Sequence, residues 1–291
     1  MRDEIVATKD SFQESAGSVL IPILMTNDTA PKQYTPRDNS DSLALSVIVP
    51  VHNEEKNIGR LAKEISDILL PFVPHEIIYV DDGSTDNSYQ VLLDLTGSLT
   101  GFRALQHFSR KGQSAAIYSG VTAAKAPLIV TLDGDGQNDP ADIPTLLETY
   151  YSHSKDDGRL MVAGWRKGRS DSWSKRVSSR IANAIRSSLL SDHTPDTGCG
   201  LKIFRREDFL CFPAFNHMHR FMPALMLRNG GRVKSVEVNH RPRIHGKSHY
   251  GILNRLWIGF ADLLGVSWLN RRKIDVELNE ICNSSDKPRS P

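Results

Sequence analysis

The chain is poor in cysteine, with Cys199, Cys211 and Cys282 as its only thiols among 291 residues. An odd count without metal-ligand spacing excludes a disulfide framework and a thiolate zinc centre, and fits small inert thiols in a reducing compartment. Long apolar runs are missing too. No stretch reaches the roughly 18 residues that a membrane-spanning helix needs. The apolar segment 19–25 is short and interrupted by Pro22, and Asp3 and Glu4 spoil a signal-peptide start. Neither sign of charge dominates: 36 Lys and Arg face 34 Asp and Glu, a net charge of +2, so bulk electrostatics give no reason to expect a nucleic-acid partner. The motifs GxxxxGK[ST], GxGxxG, HExxH and GxSxG are all absent. Their absence argues against P-loop hydrolases, dinucleotide dehydrogenases, zinc peptidases and α/β-hydrolases.

With 39% hydrophobic and 24% charged residues, the chain can bury one large domain. Residues 1–42 read as a polar, mobile N-terminal tail. From 43 onward, apolar runs alternate with helical patterns. Strands are expected at 44–51, 76–80, 102–107, 128–132 and 160–164, with helices at 55–70, 84–95, 113–124 and 141–151. That alternation implies an α/β fold with a mostly parallel central sheet flanked by helices, which binds ligands beyond the carboxyl ends of its strands. Beyond 164 come a basic stretch, GWRKGRSDSWSKRVSSR, leading into a helix, a turn-rich DTGCG segment, a strand at 201–204, a helix at 219–228 and a strand at 233–238.

The polar clusters fall at those strand ends. In LIVTLDGDGQNDP, Asp133, Asp135 and Gln137 recur at every second position, which in extended chain places three oxygen-bearing side chains on one face. Such a set suits a hard divalent cation, Mg2+ or Mn2+, shared with a substrate diphosphate; a plain polar turn is the competing reading. The first strand runs into PVHNEE and the second into DDGSTD. Carboxylates at adjacent strand tips accept hydrogen bonds from ribose hydroxyls and base N–H groups. Ser84 or Thr85 equally fits a helix N-cap.

Taken in order, PVHNEEKN, VDDGSTDNS, LDGDGQNDP, DTGCGLKIFRR and RPRIHGKSHYG resemble family 2 glycosyltransferases, specifically the polyprenyl-phosphate branch that includes dolichol-phosphate mannose synthases. The likeness spans about 43–268. It implies a GT-A fold over 43–250, with Pro50, Asn53, Glu54, Asp82 and Asp133 in the nucleotide pocket. Asp133, Asp135 and Gln137 would form the metal cluster, and Arg243 and Ser248 the basic loop over the donor diphosphate. Arg166, Lys175, Arg176 and Ser179 would hold the acceptor phosphate, with Asp196 near the sugar. Asp135, Arg243 and Asp196 are the residues to which the resemblance gives a direct part in catalysis. Two positions depart from the family pattern. His249 replaces a usual Lys, and KRVSSR leaves either Lys175 or Arg176 to meet the phosphate.

The resemblance implies an inverting transfer from a GDP- or UDP-linked sugar, mannose by default, to dolichyl or undecaprenyl phosphate. A phosphate monoester is already ionised near neutrality, its second pKa being about 6, so no strong general base is required. A soluble saccharide or other hydroxyl acceptor is the alternative, and would call for one. A catalytically idle relative would have lost its acidic residues, and Asp82, Asp133 and Asp135 are present. An enzyme that makes the donor itself would show a glycine-rich loop near its start, and none is there. The segment 251–273, apolar with Trp257, Phe260 and Trp268 and followed by Arg271, Arg272 and Lys273, reads as an amphipathic helix. It would lie on a membrane surface or pack on protein, ahead of a polar tail at 274–291. The expected location is cytoplasmic, peripheral at the cytosolic membrane face.

Overall fold

The computed structural model describes residues 43–154, 158–166, 186–243 apart from 188, 191 and 193, and 252–273, with side chains from 259 in the last segment. Seven strands form one sheet: β1 (Leu45–Val51), β2 (His75–Asp81), β3 (Phe102–Gln106), β4 (Leu128–Thr131), β5 (Leu160–Arg166), β6 (Lys202–Arg205) and β7 (Arg232–Val238), in the order β3-β2-β1-β4-β6-β5-β7. Every pairing is parallel except the two made by β6. Helices α1 (Glu55–Leu69), α2 (Ser88–Ser98), α3 (Gln113–Ala123) and α4 (Ile143–His153) connect the first five strands. Short helices α5 (Arg206–Leu210) and α6 (Met222–Arg228) follow β6, and α7 (Ile252–Arg271) comes last.

The apolar runs become the strands because both sheet faces are covered. Leu45, Val47 and Val49 pack with Ile58, Leu61 and Ile65 of α1 on one side, while Ile48, Ile78 and Val80 pack with Ala116, Ile117 and Val121 of α3 on the other. Gly120 in α3 is required there, since a Cβ at that site would lie 2.4 Å from Ile48.

One element boundary needs correction. Helix α2 starts at Ser88, not 84: Ser84 Oγ accepts from Asn53 N (2.9 Å), and Asp86 divides its carboxylate between Ser88 N at the start of α2 (3.0 Å) and Glu55 N at the start of α1 (3.3 Å). Both are N-terminal N–H groups with no partner within their own helix. Leu263 and Val266 of α7 are buried against Leu190, Phe221 and Ala224, and Asp262 meets His217 at 2.9 Å.

At the amino ends of the strands, Glu76 is 2% exposed and accepts from Ser46 Oγ (2.7 Å), Lys125 N (2.6 Å) and Arg103 Nη1 (2.6 Å). Burial works to raise its pKa, but these donors together outweigh it and hold the carboxyl below its ordinary range. A depressed folded-state pKa stabilises the protein above the ordinary carboxylate value and loses that contribution as pH falls. Glu76→Gln should cost about 1–3 kcal/mol at neutral pH and flatten the acid limb of the stability curve, as checked by urea unfolding across pH.

Candidate active site

Beyond the carboxyl ends of β1, β2 and β4, three loops are bound to one another. Asn53, in a left-handed conformation (φ 57°), accepts from Thr85 N through its side chain at 2.7 Å, and Glu54 N donates to Ser88 Oγ at 3.0 Å. Pro50, next to last in β1, lies against the acidic turn, where a Cβ on Gly134 would come within 2.8 Å of its carbonyl oxygen. Asp82 is buried and accepts from Lys111 N and Gly112 N, both at 2.7 Å, and meets His107 Nδ1 at 2.8 Å. These donors overcome burial and hold its pKa below the usual carboxylate value. So Asp82 anchors the 107–112 loop to the carboxyl end of β2.

The acidic segment is a turn rather than extended chain. Gly136 takes φ 72°, and Asp135 Oδ1 accepts from Gln137 N at 3.0 Å, a local turn bond, so the alternation of Asp133, Asp135 and Gln137 does not by itself line up their side chains. Gln137 Nε2 lies 3.3 Å from His240 Nε2. Asp133 and Asp135 remain close enough that their charges repel. Burial and then Asp135 push the Asp133 pKa up to about 6, against the pull of Lys202 and Arg166. Two hard carboxylates this close, one of them buried, are a donor set whose repulsion a divalent cation would relieve. Among the described residues, no group of three or more His, Cys, Asp or Glu is arranged to hold a metal. The remaining ligands would come from amide, substrate or water oxygen.

The segment leading into β6 reaches this site because β6 runs antiparallel, which brings its first residues to the carboxyl end of β4, with Lys202 opposite Thr131. Gly200 closes directly on Asp133: a Cβ there would lie 2.3–2.4 Å from the carboxyl atoms. Lys202 is 3% exposed and donates to the Cys199 carbonyl. Burial lowers its pKa, while Cys199, Asp133 and Asp196 favour its charge. From the other side Gln113, at the start of α3, donates to Asp133 Oδ1 at 2.7 Å.

Asp196 and Arg166 form a bidentate pair, Nε to Oδ2 at 2.6 Å and Nη2 to Oδ1 at 2.9 Å. Burial would raise the Asp196 pKa, and the Arg166 guanidinium more than reverses this. Two of the five guanidinium donors are thereby used, and the carboxylate fixes where the remainder can point. Arg243 pairs with Glu54, whose other oxygen accepts from Asn57 Nδ2 at 2.6 Å. Burial, the largest effect, leaves the Glu54 pKa raised. Lys175, Arg176, Ser179 and Ser248 lie outside the described residues.

The chain after β7 straps this region. Asn138 bridges His240, Arg241 N donates to the Gln137 carbonyl (2.9 Å), and the Arg241 guanidinium spans Glu64 of α1 (2.7 Å) and Asp139 (2.6 Å). Sequence reasoning passed over Gln113, Gly200, Lys202 and Arg241. Gln113 opens a helix directly after a strand end, a signal available in KGQS. Lys202 lies in a run that reads as an ordinary strand, and only the antiparallel direction of that strand gives it a role.

Residues 46–212 match the family described as glycosyl transferase family 2. The chain belongs to this family. Dodecaprenyl-phosphate galacturonate synthase from Rhizobium johnstonii is 35% identical over 242 residues, which cover 81% of this chain and 70% of that protein. Undecaprenyl-phosphate 4-deoxy-4-formamido-L-arabinose transferase from Aeromonas hydrophila is 32% identical over 222 residues, 75% of this chain and 66% of that one. Both are polyprenyl-phosphate members of the family, the branch that the strand-end motifs resemble. Glucosyl-3-phosphoglycerate synthase from Mycobacterium tuberculosis, solved with Mn2+, UDP and phosphoglyceric acid, superposes with a TM-score of 0.60 at 19% identity, covering 84% of each chain. At that identity the likeness concerns the fold, which is of the GT-A type.

Gly200→Ala places a methyl group against the Asp133 carboxylate. Glycosyl transfer by this variant should fall about a hundredfold or more while far-ultraviolet circular dichroism stays native, because an ångström-scale displacement at a reacting centre costs that much.

Proposed function

We propose that the protein is an inverting glycosyltransferase that moves a sugar from a nucleotide-sugar donor to a polyprenyl phosphate at a membrane surface. The observation that carries this reading is the Arg166–Asp196 pair beside Asp133. It sets a buried, oriented guanidinium where a phosphate acceptor would meet the donor's sugar. The acceptors in the names of both relatives support the same reading. Neither relative's name carries mannose, so the default sugar has no support from them, and a uronate or amino-sugar donor comes first in any assay.

In this reading Asn53, Glu54 and Asp82 form the nucleoside pocket. Asp133 and Asp135 hold Mg2+ or Mn2+, which when bound supplies Lewis-acid stabilisation of the departing diphosphate. Arg243, together with Ser248, serves that diphosphate once the donor displaces Glu54 from the guanidinium. Lys202 and Gln113 fix the Asp133 carboxylate. Arg166, aimed by Asp196 and helped by Lys175 or Arg176 and Ser179, draws the acceptor phosphate in and screens its repulsion from the donor. The phosphate oxygen then attacks the anomeric carbon from the side opposite the diphosphate. The sugar–oxygen bond to the diphosphate breaks as the new bond forms, and configuration inverts. An ionised phosphate brings its own nucleophilic electron pair, so no proton need be removed.

No helix among the described residues is long and apolar enough to cross a membrane. Helix α7 offers a peripheral contact instead. While Leu263 and Val266 face the domain, Phe260 (48% exposed), Leu264 (48%) and Trp268 (62%) face outward, and Arg271, Arg272 and Lys273 are exposed beyond them.

Two measurements test this. Supplied with UDP- and GDP-linked sugars, Mn2+ and undecaprenyl phosphate, the enzyme should yield chloroform-extractable labelled sugar, and Asp135→Asn should abolish it. Label appearing only on a soluble saccharide would refute the lipid acceptor. Because Asp133 must lose its proton to bind a cation, Mn2+ affinity measured by isothermal titration should rise as pH increases through about 6.

A further inference from the structure

The loop after β3 carries the most exposed large apolar side chain among the described residues. Phe108 is 105% exposed, and Ser109, Arg110 and Lys111 beside it are exposed as well. An aromatic ring held fully in water has no packing reason to be there, and the loop that holds it is not loose. Lys111 N and Gly112 N are both bonded to the buried Asp82 carboxylate, and a Cβ on Gly83 would strike the backbone of Ser109 and Arg110 at 2.6–2.8 Å. The ring is thus presented from a rigid mount at the carboxyl end of the sheet, the end that holds the site.

The mount adjoins helix α7. A Cβ on Gly112 would lie 3.3 Å from Asn216 Oδ1, the next residue, His217, takes a left-handed conformation (φ 66°), and its Nδ1 lies 2.9 Å from Asp262. The loop that carries Phe108 thus comes near α7 by way of Gly112, Asn216 and His217, and the two places carry features of the same kind. Each pairs outward apolar rings with exposed basic residues, Phe108 with Lys111, and Trp268 with Arg271 and Arg272. Apolar rings flanked by cations match the interface of an anionic bilayer, where rings enter the acyl boundary and cations meet headgroup phosphate.

We infer that Phe108 is a second membrane-insertion point, acting together with α7, so that the protein docks on anionic lipid by two prongs with the strand ends facing the bilayer. This rests on the membrane-lipid acceptor proposed above.

The experiment is co-sedimentation of the full chain with phosphatidylcholine vesicles containing phosphatidylglycerol, comparing wild type with Phe108→Ser, Phe108→Leu and Phe72→Ser. Phe72 is an equally simple surface truncation, 47% exposed in the turn before β2 at the opposite end of the sheet. Losing one inserted ring should weaken vesicle binding by Phe108→Ser about tenfold, with Phe108→Leu recovering much of it and Phe72→Ser unchanged. Transfer to polyprenyl phosphate embedded in vesicles should fall in parallel, while transfer to a short, water-soluble isoprenyl phosphate stays at the wild-type rate. If Phe108→Ser and wild type bind vesicles alike, or Phe72→Ser loses as much as Phe108→Ser, the insertion point is wrong and the acceptor assignment stands. If the wild-type protein glycosylates neither polyprenyl nor isoprenyl phosphate, the acceptor reading itself falls.

Discussion

Carboxylates gathered at the ends of parallel strands repel one another, and the architecture of this site is a response to that repulsion. Asp133 feels Asp135 on one side and sits in surroundings that already penalise its charge. The compensation is Lys202, a buried cation that faces Asp133 and Asp196, with Arg166 beyond it held by Asp196. Charges of alternating sign therefore run from Asp133 through Lys202 and Asp196 to Arg166. Removing any one of them leaves a neighbour buried and uncompensated, which is why the four are better regarded as one unit than as four separate ligands.

Only the reversed direction of β6 makes this unit possible. A parallel strand in that position would bring its last residues to the site and send the Gly200–Lys202 stretch to the far end of the sheet. Gly200 lets the backbone of the β6 entry lie directly on the Asp133 carboxylate, and Thr131 Oγ1 donates to the Gly200 carbonyl at 2.7 Å to keep it there. The strap at 239–243 clamps the acidic turn from the outside through Arg241.

Much of this was legible in the chain itself. Apart from the start of α2, the strands and helices up to α4 fall close to where the apolar periodicity places them, because continuous apolar runs between turn residues have few other ways to satisfy both burial and backbone hydrogen bonding. The strand-end motifs were legible as motifs, and Asp133, Asp196 and Arg166 do come together. What periodicity could not reveal was direction and pairing. KIFRR reads the same for a parallel and an antiparallel strand, so Lys202 carried no sign of its position. Asp82 suggested ligand binding, yet its carboxylate holds a loop 25 or more residues away in sequence, and Asp86 divides its own between nearby Ser88 and distant Glu55, the distant contacts being set by tertiary proximity alone. Alternating Asp133, Asp135 and Gln137 suggested extended chain, and the positive φ of Gly136 turned it into a bend.

The placement of β6 also bears on how the chain assembles. Strands β1 to β4 form one half of the sheet in order of synthesis, whereas β5 pairs only with β6 and β7. The two halves share no ladder hydrogen bond until residues 202–205 slot between β4 and β5, about 70 positions after β4 has left the ribosome. Until then β4 is an open edge with an unneutralised Asp133 at its tip. The strand that joins the two halves is the same one that delivers Gly200 and Lys202, so the surroundings of Asp133 are complete only once that long-range pairing has formed.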